Sequence, residues 1–109
     1  MTNAEKLENI KLMLDIPTGD TTIDGELSAY LNMAALEILN WMYINHPEKR
    51  EEVTEVPLRY EIVQINAVVS GFSHKGAEGE KVHNENGINR TFVYADMVAY
   101  IRANVFQKV

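Results

Sequence analysis

Along most of the chain, hydrophobic positions recur three and four residues apart, the spacing of amphipathic helices rather than the alternation of strands. Thr2 and Glu5 are spaced for a capping box, in which a hydroxyl and a carboxylate reciprocally satisfy free backbone donors, and Leu7, Ile10, Met13 and Leu14 follow at helical intervals. This predicts a first helix over residues 3–15. Pro17, Thr18 and Gly19 break it, and Asp20, Thr21 and Thr22 offer capping oxygens for a second helix, the longest. Its stripe is Ile23, Leu27, Leu31, Ala34, Ile38 and Met42, widened by Tyr30, Ala35, Leu39 and Trp41, so much of it is expected to be enclosed by its own chain or another. Asn45, His46 and Pro47 end it, and residues 48–55 read as a charged connector.

Pro57 suits the first turn of a third helix, where its missing donor costs nothing, and Leu58, Ile62, Ile65, Val69 and Phe72 follow, with Val63 and Val68 adding to them. The β-branched residues would equally suit a strand, but the spacing and the polar Gln64 and Asn66 favour a helix ending near residues 71–76. The pattern then changes. Residues 78–85 are polar except for Val82, Asn86-Gly87 is a strong hairpin-turn signal, and residues 88–94 are richer in β-formers. A β-hairpin or flexible arm over about residues 76–93 is expected. Tyr94 or Asp96 then opens a last helix with Val98, Ile101 and Val105 on one face and Arg102 and Lys108 near its C-terminal end. The predicted fold is a single, mainly α domain over residues 1–109: a small bundle of about four helices, with a β-hairpin or loop protruding between the third and the last.

Composition supports a folded chain. Of 109 residues, 46% are hydrophobic and 24% charged, ordinary globular values. The absence of cysteine removes disulfides, thiolate metal sites and cysteine nucleophiles, and is compatible with a reducing compartment. Neither an apolar signal-peptide core nor a run approaching about 18 apolar residues is present, so neither secretion by such a signal nor a membrane span is expected. The net charge of −6 is uneven, with about −7 over residues 1–56 and +1 over residues 57–109. Without a Lys/Arg cluster, a dedicated nucleic-acid binder is disfavoured, because such binding rests on cations neutralising phosphates.

Candidate chemistry is sparse. His46, His74 and His83 form no i, i+4 pair for a metal, and solvent-facing or internally satisfied imidazoles are the simpler reading. Lys49, Arg50, Glu51, Glu52 and Glu55 read as a solvated charge run. Residues 70–74 hold serine, glycine and histidine without the nucleophile elbow, and the Gly76–Glu80 stretch lacks the Lys-Ser/Thr of a phosphate loop. No catalytic residue, metal or cofactor is expected. Trp41 and Tyr43, by contrast, are either an interaction hot spot or an aromatic cap on the core. The tract from Gly79 to Tyr94 is too poor in apolar residues to hold itself down, which suits insertion between neighbouring chains.

Several segments together resemble the head-tail connector, or DNA-packaging adaptor, proteins of tailed double-stranded DNA bacteriophages: residues 7–16, a long helix holding Ala34-Ala35, and above all Gly71-Phe72-Ser73-His74-Lys75-Gly76 leading to Glu78-Gly79-Glu80 and to residues 85–92. The resemblance implies a non-enzymatic virion protein made in the host cytoplasm and located at the neck. It implies a ring, of dodecamer type, docked below the portal protein and above the next neck or tail-completion protein, with DNA passing through unread and no membrane involved. Assembly contacts are expected at Glu78, Glu80, Lys81, His83, Asn86, Gly87, Arg90 and Phe92, at Trp41 and Tyr43, and along the tail from Asn104 to Val109. Two rival classes remain at this level. A helical regulatory or nucleic-acid-binding module predicts salt-dependent DNA affinity, and a small enzyme using His74 or His83 predicts a histidine with a shifted pKa in a cleft.

Overall fold

The computed structural model describes residues 1–77 and 90–109. Its elements are α1 (Asn3–Met13), α2 (Asp24–Met42), a short α3 (Pro47–Arg50), a 3-10 turn (Leu58–Tyr60), α4 (Glu61–Ala77) and α5 (Arg90–Asn104), with no strand among the described residues. The mainly helical bundle expected from the periodicity is what forms.

The α1 capping box is present: the Thr2 hydroxyl accepts from Glu5 N at 3.1 Å and the Glu5 carboxylate accepts from Thr2 N at 2.8 Å. The helix stops at Met13, two residues before the expected end. Asp15 takes a left-handed conformation (φ 61°), and Ile16 N donates back to Lys11 O at 2.8 Å, so the chain reverses before it reaches Pro17. The expected side-chain cap on α2 does not form. Asp20 instead accepts from Thr22 N at 3.0 Å in a turn ahead of the helix, while Asp24, in the first helical turn, pairs with Lys11 at 2.9 Å.

The stripe along α2 is the floor of the core: Leu27, Leu31, Ala34, Ile38 and Met42 are buried, as are Tyr30 and Leu39. Each such aliphatic side chain contributes roughly 1.5–3 kcal/mol when fully removed from water. α4 packs against α1, α2 and α5, and α2 lies across all three. Tyr30 meets Phe72 edge-to-face, with ring centroids 5.5 Å apart.

Other boundaries also differ from expectation. The charged connector opens with the helical turn α3, which begins at Pro47. Pro57 stands before the 3-10 turn with extended backbone (ψ 150°), so the third long helix begins at Glu61. That helix runs through Gly71 and ends at Ala77, one residue past the expected range. Gly71 is in mid-helix because α5 comes close: a β-carbon there would lie 2.9 Å from Val93 Cγ1 and 3.0 Å from Val93 O. The same contact explains why α5 starts at Arg90, earlier than Tyr94 or Asp96. Val93 is buried against α4, and tertiary packing overrides the β-preference of the segment. Residues 76–77 and 90–93 of the expected arm are therefore helical, while residues 78–89, with the Asn86-Gly87 turn signal, lie outside the described residues.

Of the apolar residues expected to line this helix, Val63, Ile65, Val68 and Phe72 are buried and Val69 is half-buried, whereas Leu58 in the 3-10 turn (80% exposed) and Ile62 (56%) face outward. Tyr60, Gln64 and Ala67 face inward as well. Gln64 turns inward because both ends of its amide are satisfied: Oε1 accepts from Lys6 Nζ at 2.7 Å and Nε2 donates to Leu31 O at 2.9 Å.

Candidate assembly surface

The C-terminal end of α2 and the chain's last residues form one continuous structure. Beyond α5, Val105 is buried and the tail turns back along α2. Lys108 N donates to Met42 O at 2.7 Å, Trp41 Nε1 donates to Val105 O at 3.0 Å, Asn45 Nδ2 donates to Lys108 O at 3.4 Å, and His46 Nε2 lies 2.9 Å from Val109 O. Cations cover the two aromatic rings: the Arg102 guanidinium lies 4.8 Å from the Trp41 centroid and the Lys108 ammonium 5.8 Å from that of Tyr43. Trp41 and Tyr43 are half-buried. Two groups singled out in the sequence, the aromatic pair and the tail, are thus brought together, the first holding the second.

On its other side the tail is held by Tyr60. Phe106 N donates to the Tyr60 hydroxyl at 3.1 Å, and the Arg59 guanidinium lies 4.8 Å from the ring centroid. Burial pushes the Tyr60 phenol up, but the hydrogen bond from Phe106 and the positive charge of Arg59 outweigh it and leave the group below its usual pKa. The tail still presents apolar surface, since the Phe106 side chain is 82% exposed. Asn45 and His46, read in the sequence only as a helix end and an unpaired imidazole, and Tyr60, which did not stand out there, hold the tail. Their only signal was proximity to a proline-marked helix boundary.

Arg90 and Phe92 fall in the first turn of α5. Glu78, Glu80, Lys81, His83, Asn86 and Gly87 lie outside the described residues. Nearby, the Tyr94 hydroxyl donates to the Glu37 carboxylate, tying α5 to α2. That bond and partial burial raise the Tyr94 pKa above its usual value.

A polar hollow of about 330 Å³ is lined by Met1, Lys6, Thr54, Glu55, Glu61 and Gln64. Glu61 is paired within the chain, 3.3 Å from the terminal ammonium of Met1 and 3.7 Å from Lys6 Nζ. Among the described residues no three His, Cys, Asp or Glu side chains group to hold a metal ion, and no helix is long and apolar enough to cross a membrane. What the arrangement offers chemically is surface for association: an aromatic-anchored tail, exposed apolar side chains, and charges engaged at close range.

A family model described as phage gp6-like head-tail connector protein matches residues 4–103, nearly the whole chain. No curated protein and no solved structure matches.

Proposed function

The chain belongs to the phage gp6-like head-tail connector family, and from that membership we propose that its copies form a ring below the portal, continuing the DNA channel and joining the capsid to the tail. Membership itself makes it a structural protein of the virion neck that assembles with other virion proteins. The observation that carries the finer reading is the reach of the match, which takes in α2 and α4 and all but one residue each of α1 and α5. Portal and neck contacts are assigned to the segment from Glu78 to Phe92 and to the tail from Asn104 to Val109, whose exposed Phe106 supports the second assignment. The charge fits a channel. A ring around moving DNA must not grip phosphate, and a chain of net charge −6 lets a duplex slide where a basic one would hold it.

The test is the mass of the purified protein across a concentration series by light scattering, followed by electron microscopy and by co-sedimentation with a purified portal ring. Closed rings, alone or formed on the portal, are expected. A protein that stays monomeric and does not sediment with the portal would overturn the reading.

A further inference from the structure

The fully exposed positions of α2 carry no charge; its acids, Asp24, Glu26 and Glu37, are half-buried at the flanks, Asp24 paired with Lys11 and Glu37 accepting from Tyr94. The exposed positions are Ser28, Ala29, Asn32, Met33, Leu36 and Asn40, with Gly25 at the start. In a chain in which 24% of residues are charged, an outer helix face is ordinarily where those charges sit. Leu36 stands 54% exposed at the middle of this convex surface. A second apolar surface is concave: a groove of about 230 Å³ between α1 and α4, lined by Asn9, Met13, Leu58, Ile62 and Ile65, with Met1 and Glu61 at its margin. Met13 is 50% exposed, and Leu58 and Ile62 are more so.

The two surfaces face opposite ways. Ile62 precedes Gln64 by two residues, about 160° around α4, and Gln64 is the residue bonded to the α2 backbone, so Ile62 points away from α2. Leu36 follows the fully buried Ala34 by two residues, again about 160°, and points away from the core from the other side.

We propose that these surfaces are the two halves of one head-to-tail contact between copies of this chain, with the α2 face around Met33 and Leu36 seated in the Met13–Leu58–Ile62 groove of the next copy. This rests on the ring reading and gives the contact that would build it. The occupant follows from charge and shape. Two copies of −6 each repel, so self-association favours faces whose exposed positions carry no acid, and the α2 face around Met33 and Leu36 has a concave apolar counterpart on the same molecule. Different patches on opposite faces make the contact heterologous, the kind that propagates into rings or filaments rather than closing as a two-fold dimer.

Because the chain has no cysteine, single cysteines report directly. Leu36→Cys and Ile62→Cys are exposed substitutions expected to keep the helical circular dichroism. Oxidised alone, each is expected to stay uncrosslinked, and an equimolar mixture is expected to give the 36–62 disulfide. In parallel, Leu36→Glu and Ile62→Glu are each expected to abolish assembly, and their mixture to stop at a one-to-one dimer joined by the single intact contact. Symmetric 36–36 or 62–62 disulfides would overturn the proposal, as would rings that form without a 36–62 link while the ring reading stands. A 36–62 link that yields only open filaments supports the contact and sinks the ring. Monomers with no link at any concentration, with or without a purified portal ring present, overturn both.

Discussion

At the scale of single residues, Gly71 shows that glycine in a helical pattern has more than one use. The helix does end at Ala77, beside the expected 71–76, yet it passes through Gly71, because glycine there is needed for closeness rather than for a turn. Two helix axes approach most closely where a side chain is missing, and sequence alone does not show which neighbour arrives. Gln64 is similar: its polarity argues for an outward position, and only the pairing with Lys6 Nζ and Leu31 O makes burial affordable. Gly71→Ala tests the first case. Helix propensity gains about 1 kcal/mol, but the new β-carbon meets the stiff Val93 side chain and its carbonyl, and overpacking of this kind costs about 1–3 kcal/mol. A lower urea midpoint is expected, partly recovered by adding Val93→Ala. A variant more stable than the parent would mean that α4 and α5 separate freely at this point.

At the scale of elements, legibility followed the purity of the pattern. α2 has a stripe of large apolar residues backed by exposed positions without charge, and its buried set matches the periodicity. α4 mixes apolar residues all round, so periodicity fixed its type but only part of its buried face: Val63, Ile65, Val68 and Phe72 are in the core, while Leu58 and Ile62, also taken for core, are left outside. The start of α5 was hidden because local β-preference opposed a tertiary contact at Val93. The tail was legible as a segment, but not its attachment, which depends on backbone carbonyls that no residue pattern reveals. Trp41→Phe addresses that attachment. It keeps an aromatic ring under Arg102 and removes the donor to Val105 O, at about 0.5–1.5 kcal/mol for one hydrogen bond. Hydrogen exchange at the Lys108 amide, which donates to Met42 O, is expected to accelerate several-fold while the core of α2 is unchanged. Unchanged protection at Lys108 would show that the main-chain bond and Tyr60 hold the tail without the indole.

At the scale of the whole molecule, the net charge of −6 and the uncharged exposed positions of α2 oppose one another in any assembly of copies. Repulsion acts over the Debye length, about 10 Å at 0.1 M salt and about 3 Å at 1 M, whereas an apolar contact acts only on touching and is not screened. Added salt therefore removes the opposing force and leaves the attractive one. The average mass in light scattering is expected to rise as sodium chloride goes from about 0.05 M to about 0.5 M, within the range where the Debye length shortens several-fold. An interface built from surface ion pairs does the reverse, since salt weakens each pair. A mass that falls with salt would therefore point to the charged connector around Lys49–Glu55 rather than to Leu36 and Ile62. The sign of one titration separates a contact made where charge is missing from one made where it is dense.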